Sequence, residues 1–132
     1  MRQEFSTKWI ASKQPRRQRK YRHNAPLHTR SKFLNAHLSK GLREKYKTRS
    51  LRLRTGDEVE VMRGSFAGKK AKVTSVDVKR TRVVLEGITR GKKDGSKVNV
   101  FFHPSNLMIA SVYTDDRKRF NAIVEEKTKE KK

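Results

Sequence analysis

The chain contains no cysteine. Disulfides, thiol catalysis and cysteine zinc knuckles are therefore excluded, while the compartment stays open. It also has no apolar run near the roughly 20 residues that a membrane helix needs. Hydrophobic residues make up only 33 %, so a large core is not expected, and part of the chain should stay disordered without a partner. Acids are scarce as well: 13 stand against 35 lysines and arginines, a formal net charge of +22. A chain this basic seeks polyanions. Its charge is spread along the sequence and not set on one amphipathic face, which favours nucleic acid over a membrane surface. The 132 residues allow one small domain plus appendages.

Enzyme and metal chemistry lack their residues. The acids of the central region are Asp57, Glu58, Glu60, Asp77, Glu86 and Asp94, all beside strands or turns with basic neighbours. Asp57 and Glu58 read as edge-strand solubilisers and not as an acid–base pair. His23 and His28 are five apart with no third ligand nearby, and His37 and His103 stand alone. No phosphate loop or Rossmann signature appears. The expectation is a protein with no enzyme activity, metal, cofactor or small-molecule substrate.

What is present is charge, unevenly distributed. Residues 1–54 carry net +15, residues 55–110 net +5 and residues 111–132 net +2. The first segment reads as the polyanion ligand and the second as a folded body. "KQPRRQRKYR" (Lys13–Arg22) has no helical or strand period and reads as an extended arm. From Lys13 to Asn24 such an arm reaches about 40 Å, at roughly 3.3–3.6 Å per residue. An Arg-rich, acid-poor start also fits a transit peptide, but the basic run continues past typical presequence features. Leu27, Arg30, Ser31 and Leu34 predict a short helix after Pro26. A second helix is predicted after Ser39, with Leu38, Leu42 and Tyr46 as its apolar stripe.

From Leu51 the period changes to two. Leu51 and Leu53 alternate with arginines, and "TGDEVEVM" puts Val59 and Val61 on one face. "KVTSVDV" (Lys72–Val78), "RVVLEG" (Arg82–Gly87), "KVNVFF" (Lys97–Phe102) and "NLMIASV" (Asn106–Val112) read as further strands, with "DVKRTR" and "GKKDGS" as turns. "HPSN" (His103–Asn106) reads as the turn into the last strand. Five short strands in about sixty residues suggest a small closed or half-closed barrel, since closure removes exposed edges. The end, residues 114–132, fits a helix. Thr114 is its cap, Asp115 and Asp116 lie in its first turn, and Phe120, Ile123 and Val124 form a narrow stripe.

Between the first two strands of that body lies "MRGSFAGKKAKV" (Met62–Val73). Gly64 and Gly68 suit positive φ or a close backbone approach. Glycine amides and nearby lysines suit phosphates. Phe66 either stacks on an unpaired base or plugs the end of the barrel.

The stretch "GDEVEVMRGSFAGKKAKVTSVD" (Gly56–Asp77) resembles the KOW motif: an alternating strand, glycine, two residues, a basic residue and glycine, then a second strand. Ribosomal proteins and transcription elongation factors share it. With "KQPRRQRKYRHNAPLHTRSK", "LSKGLREKYKTRSLRLRTGDEV" and "HPSNLMI", residues 13–113 resemble the archaeal and eukaryotic form of large-subunit ribosomal protein twenty-four. The short tail is more similar to the archaeal form. Two positions depart from the pattern: Ala67 replaces a usual basic residue, and Ala71 replaces a usual third glycine. A Cβ at position 71 narrows the allowed backbone. The first sixteen or so residues extend beyond the archaeal pattern.

The resemblance implies a mainly β fold: a small SH3-like β-barrel (KOW) over residues 51–113. A basic RNA-binding extension with short helices precedes it over residues 1–50, and a C-terminal helix and polar tail follow over residues 114–132. It implies a cytoplasmic ribosome component that binds large-subunit ribosomal RNA early in assembly, near the peptide exit tunnel, among neighbouring ribosomal proteins. The candidate RNA contacts begin in the arm with Lys13, Arg16, Arg17, Arg19, Lys20, Tyr21, Arg22, His23 and Asn24. They continue through His28, Arg30 and Lys32 to Arg49, Arg52 and Arg54. The motif loop adds Arg63, Gly64, Phe66, Gly68, Lys69, Lys70 and Lys72, and the next turn adds Arg80 and Arg82. The alternative is a NusG-type KOW transcription elongation factor. Those carry a folded α/β domain before the barrel, for which residues 1–54 have too few apolar positions. A basic chromatin protein is a third and weaker reading. The RNA that copurifies separates the three.

Overall fold

A computed structural model of the chain describes residues 5, 6, 8, 9, 11–115 and 119. Along these residues the helices are α1 (Pro15–Asn24), α2 (Leu27–Arg30) and α3 (Lys40–Tyr46). The strands are β1 (Asn35–Leu38), β2 (Ser50–Arg52), β3 (Glu58–Val61), β4 (Lys70–Asp77), β5 (Arg82–Gly91), β6 (Lys97–Phe102) and β7 (Leu107–Ser111). The seven strands form one mixed sheet in the order β2-β1-β7-β3-β4-β5-β6, and the protein is mainly β. β1 runs parallel to β7, while every other pairing is antiparallel.

Alternation builds the core. Val59 and Val61 of β3 are fully buried, as are Leu107 and Ile109 of β7, while Glu58 and Glu60 face the other side. Leu34, Ala36 and Leu38 join the same cluster, so the basic extension donates a strand to the sheet. β5 buries three consecutive residues, Val83, Val84 and Leu85, which means that both its faces are covered there. Its pairing with β6 then shifts register between Val84 and Thr89. Gly87, at φ 70°, lies in that irregular stretch, and the strand bends and resumes.

Several expectations need correction. Lys13–Arg22 is not extended: Pro15 opens a ten-residue helix that buries no side chain. Pro fits a first helical position, Gln18 Nε2 donates to the Ser12 carbonyl at 2.7 Å, and Arg22 and His23 complement the negative end of the dipole. At 1.5 Å per residue the helix spans only about 15 Å. Leu38 belongs to β1 and not to the helix after it, although Leu42 and Tyr46 do pack against the core from α3. Ser39 precedes α3 without a side-chain cap bond. The helix expected over residues 114–132 lies outside the described residues apart from Thr114, Asp115 and Arg119.

Asp57 is also corrected. It is no edge solubiliser, because β3 lies inside the sheet and Asp57 is fully buried. Its carboxylate accepts four hydrogen bonds. The Arg54 and Tyr113 amides donate at 2.9 and 3.0 Å, and Arg119 donates through both terminal nitrogens at 2.7 and 2.8 Å. Arg119 also donates to the Arg52 carbonyl at 2.6 Å. One carboxylate thus ties the entry to β3, the exit from β7 and the C-terminal segment together. Gly56 lies beside this knot at φ 88°, with the Tyr113 ring 3.2 Å from where a Cβ would sit.

The β3–β4 loop closes through its own backbone. Val61 donates to Lys69 at 2.9 Å and Gly68 to Val61 at 2.8 Å. Gly64 and Gly68 have φ of 93° and 81°, with open space where a Cβ would sit. Positive φ, not close approach, requires them. Ala71 lies within β4 opposite Val59 and has no positive φ, so the missing third glycine costs nothing there. Phe66 is half-buried and meets Phe102 edge-on at 6.0 Å. The ring therefore packs against the core cluster.

Two stability measurements follow. Asp57→Ala leaves Arg119 buried without its counter-charge, and breaking such a pair costs about 3–5 kcal/mol. Urea unfolding should show that loss, and a loss below about 1 kcal/mol would remove the knot from the account. Phe66→Ala should cost about 1–2 kcal/mol, less than the roughly 3–5 of a fully buried ring. An unchanged urea midpoint would mean that the ring does not plug the fold.

Candidate nucleic-acid interface

α1 exposes Arg16, Arg17, Arg19, Lys20, Arg22 and His23, with Lys13 exposed just before it. A helix without an apolar stripe needs another anchor, and Tyr21 supplies it. Trp9 stacks on the Tyr21 ring at 4.7 Å, Phe5 lies at 5.0 Å from it, and Phe33 meets it edge-on at 6.3 Å. The Arg22 guanidinium sits 6.0 Å from the Phe33 ring. These aromatic contacts hold the basic helix against the segment that leads into β1.

Arg30 makes the second anchor. Its guanidinium donates to the Ala25 carbonyl at 2.8 Å, to the Lys79 carbonyl at 2.5 Å, and to the His23 carbonyl. It therefore ties the end of α1 to the β4–β5 turn. That turn carries Arg80 and Arg82, both exposed. Its shape rests on Asp77, which accepts from the Arg80 amide at 2.9 Å. Thr81 between them has φ 53°, a conformation that β-branched residues rarely adopt.

His103 joins this group from the end of β6. Partial burial, then the charges of Arg82 and Arg22, hold its pKa below the usual histidine range. Its Nδ1 lies 2.8 Å from the Ser105 hydroxyl, within the short 3₁₀ turn Pro104–Asn106 that leads into β7. The "HPSN" turn is as the sequence predicts. Asn24 and His23 bond to each other at 3.0 Å, and His28 and Lys32 are exposed on and after α2.

The motif loop meets the sheet next to His103: Phe66 packs on Phe102, and the Met62 amide donates to the Asn106 carbonyl at 2.8 Å. Arg63 is exposed, and Lys69 Nζ lies 5.4 Å from the Phe66 ring. Lys70 stands opposite Glu60 and Lys72 opposite Glu58 in register, with Lys70 Nζ 4.0 Å from Glu60. Such cross-strand pairs soften the local charge. The Gly68 amide is spent on closing the loop. Arg49, Arg52 and Arg54 lie by β2, at the opposite edge of the sheet from β6. Thus α1, the β4–β5 turn and His103 come together, and the motif loop packs beside His103 at the end of β6, while the β2 arginines lie at the other end of the strand order.

The sequence reading missed two things. The β5–β6 hairpin exposes Arg90, Lys92, Lys93 and Lys97, while the only acid of its turn, Asp94, is engaged by the Ser96 amide and hydroxyl at 2.9 and 2.6 Å. The composition of "GKKDGS" carried that signal. Phe101 is 54 % exposed on β6. The signal there was the doublet "FF", which must put one ring on each face of a strand. Among the described residues, no three His, Asp or Glu side chains gather as metal ligands, and no helix is long and apolar enough to cross a membrane. The arrangement presents fixed cations and aromatic faces, the chemistry of phosphate and base contact.

Comparison with known proteins agrees. The family model that describes ribosomal proteins L26 of eukaryotes and their archaeal L24 counterparts matches residues 12–127. Relatives named large ribosomal subunit protein uL24 include that of Methanocella arvoryzae, 50 % identical over 114 residues, 86 % of this chain and 92 % of the relative. The one from Methanothrix thermoacetophila is 48 % identical over 110 residues, 83 % and 95 % of the two chains. The one from Methanosphaera stadtmanae is 46 % identical over 112 residues, 85 % and 96 %. The chain belongs to the family of eukaryotic L26 and archaeal L24 ribosomal proteins.

Proposed function

We propose that this protein is a non-catalytic structural constituent of the large ribosomal subunit, of the archaeal form. It binds large-subunit ribosomal RNA early in assembly, near the peptide exit tunnel, beside neighbouring ribosomal proteins in the cytoplasm. The observation that carries the reading is the family match, which runs through the basic extension and the body alike. A KOW loop shared with elongation factors would match the body alone. The sheet is read as an SH3-like KOW barrel, supported by its register shifts and by Phe66 packed at one end, with a helix following it.

The RNA contacts are assigned to residues that the fold leaves charged and exposed. Lys13, Arg16, Arg17, Arg19, Lys20 and Arg22 meet phosphates from α1, with His23, Asn24, His28 and Lys32 beside them. Tyr21 and Arg30 act by holding that helix in place. Arg63, Lys69, Lys70 and Lys72 meet phosphates from the motif loop that Gly64, Phe66 and Gly68 shape. Arg80 and Arg82 act from the β4–β5 turn, and Arg49, Arg52 and Arg54 act from the β2 edge.

The test is ionic. Residues 1–24 carry eight cations against one acid. Each phosphate neutralised contributes about −0.7 to −0.9 to the log–log salt slope. If half of the eight bind phosphates, deleting residues 1–24 flattens the slope by roughly 3. Binding of full-length and truncated protein to a large-subunit RNA fragment, titrated with salt, measures this. Equal slopes would leave the extension out of the interface.

A further inference from the structure

β6 turns Phe102 into the core, and Phe101 therefore projects to the other face. There it is more than half exposed beside Val84, its register partner on β5. The ring borders an open cleft of about 700 Å³ that is lined, among the described residues, by Arg80 and Arg82 as well. That volume lies within the range of small-ligand sites. The Arg80 side chain is 77 % exposed and its Nε lies 3.9 Å from the Asp77 carboxylate, a surface pair that leaves the guanidinium open to solvent.

The turn that carries these arginines is held from several sides. Arg30 grips the Lys79 carbonyl, Asp77 accepts from the Arg80 amide, and Thr81 Oγ1 donates to the Arg80 carbonyl at 2.7 Å. Thr81 keeps its left-handed conformation between the two arginines. Strained turns of this kind concentrate at binding sites, where the geometry serves the ligand. The charges of Arg82 and Arg22 both act on His103, which places Arg22 of α1 near the same region.

We infer that Phe101, Arg80 and Arg82 form a cradle for one unpaired nucleotide of RNA, its base stacked on Phe101 and its flanking phosphates held by the two arginines. This rests on the RNA-binding reading above. A flat ring beside two planar guanidinium groups matches a base between its phosphates. Duplex RNA hides its base faces in the stack, so the cradle selects a single strand or an extruded base. An acidic peptide would satisfy the arginines but leave the ring in water.

Full-length protein is assayed against a 12-nucleotide oligoadenylate, a 12-base-pair RNA duplex and a large-subunit RNA fragment. Phe101 is exposed, so Phe101→Ala should leave the melting temperature unchanged. It should weaken oligoadenylate binding by roughly 5- to 150-fold, the range of one lost base stack, with the salt slope and the duplex affinity unchanged. Phe101→Trp should retain binding, and Phe101→Leu should not. Arg80→Ala and Arg82→Ala should each flatten the single-strand salt slope by about 0.7. Equal losses on both small RNAs, no loss on either, or full binding by Phe101→Leu would overturn the cradle. If wild-type protein still binds the large-subunit fragment, only the cradle falls. If it does not, the RNA reading falls as well.

Discussion

A carboxylate at the centre of a strongly basic chain is costly to bury alone, and so is an arginine. Here the two are buried together. Asp57 takes four hydrogen bonds, two from backbone amides and two from Arg119. The geometry is bidentate, the form in which guanidinium and carboxylate match best. The pair closes the sheet where the chain enters β3 and leaves β7, and it ties in the C-terminal segment. The remaining core is built mainly of valine, leucine and isoleucine. Most of the other cations in the described body and extension face outward.

That division of labour shapes the interface. The body supplies a stiff mainly β platform, and the extension lends it one strand, β1. The basic helix cannot dock by an apolar stripe, since it has none. It docks by rings, with Trp9, Phe5 and Phe33 around Tyr21, and by the three carbonyls that Arg30 collects. Both anchors leave the arginines of α1 in water. A high density of like charge on a small body repels itself, and a polyanion relieves that repulsion. Arg30 and Arg119 are engaged by the fold itself, and the anchors decide where the outward cations stand.

How much of this was legible depended on whether the signal was local. β3 and β6 read directly, because alternation in "VEV" and "VNVFF" has period two and their bounds follow from turns. β5 was read to Gly87, since glycine usually ends a strand, but here it sits in a bend and the strand continues. β1 was not legible. "NAHL" is short, and Leu38, Leu42 and Tyr46 imitate a helical stripe, while the partners that make it a strand are β2, beyond the next helix, and β7, the last strand of the sheet in chain order. α1 was read as extended because its helix has no apolar period. Its support comes from Phe5, Trp9 and Phe33, which pattern analysis treats as unrelated. Asp57 looked like a surface acid beside a glycine turn, and its partner Arg119 is far along the chain. The loop glycines were legible because φ alone demands them. The cations were legible as a class but not as a surface, since only the fold shows that Arg30 is occupied by carbonyls and that Lys70 and Lys72 face glutamates.

The central claim is that the outward cations, placed by the aromatic and Arg30 anchors, form the RNA-binding face. Side-chain footprinting of lysine and arginine, comparing the free protein with the protein in assembled large subunits, tests it most directly. The account predicts strong protection of α1, the β4–β5 turn and the motif loop on assembly. Arg30 and Arg119 should be protected in both states, because the fold already engages them. Protection that falls elsewhere, with α1 and the β4–β5 turn equally reactive in both states, would contradict it.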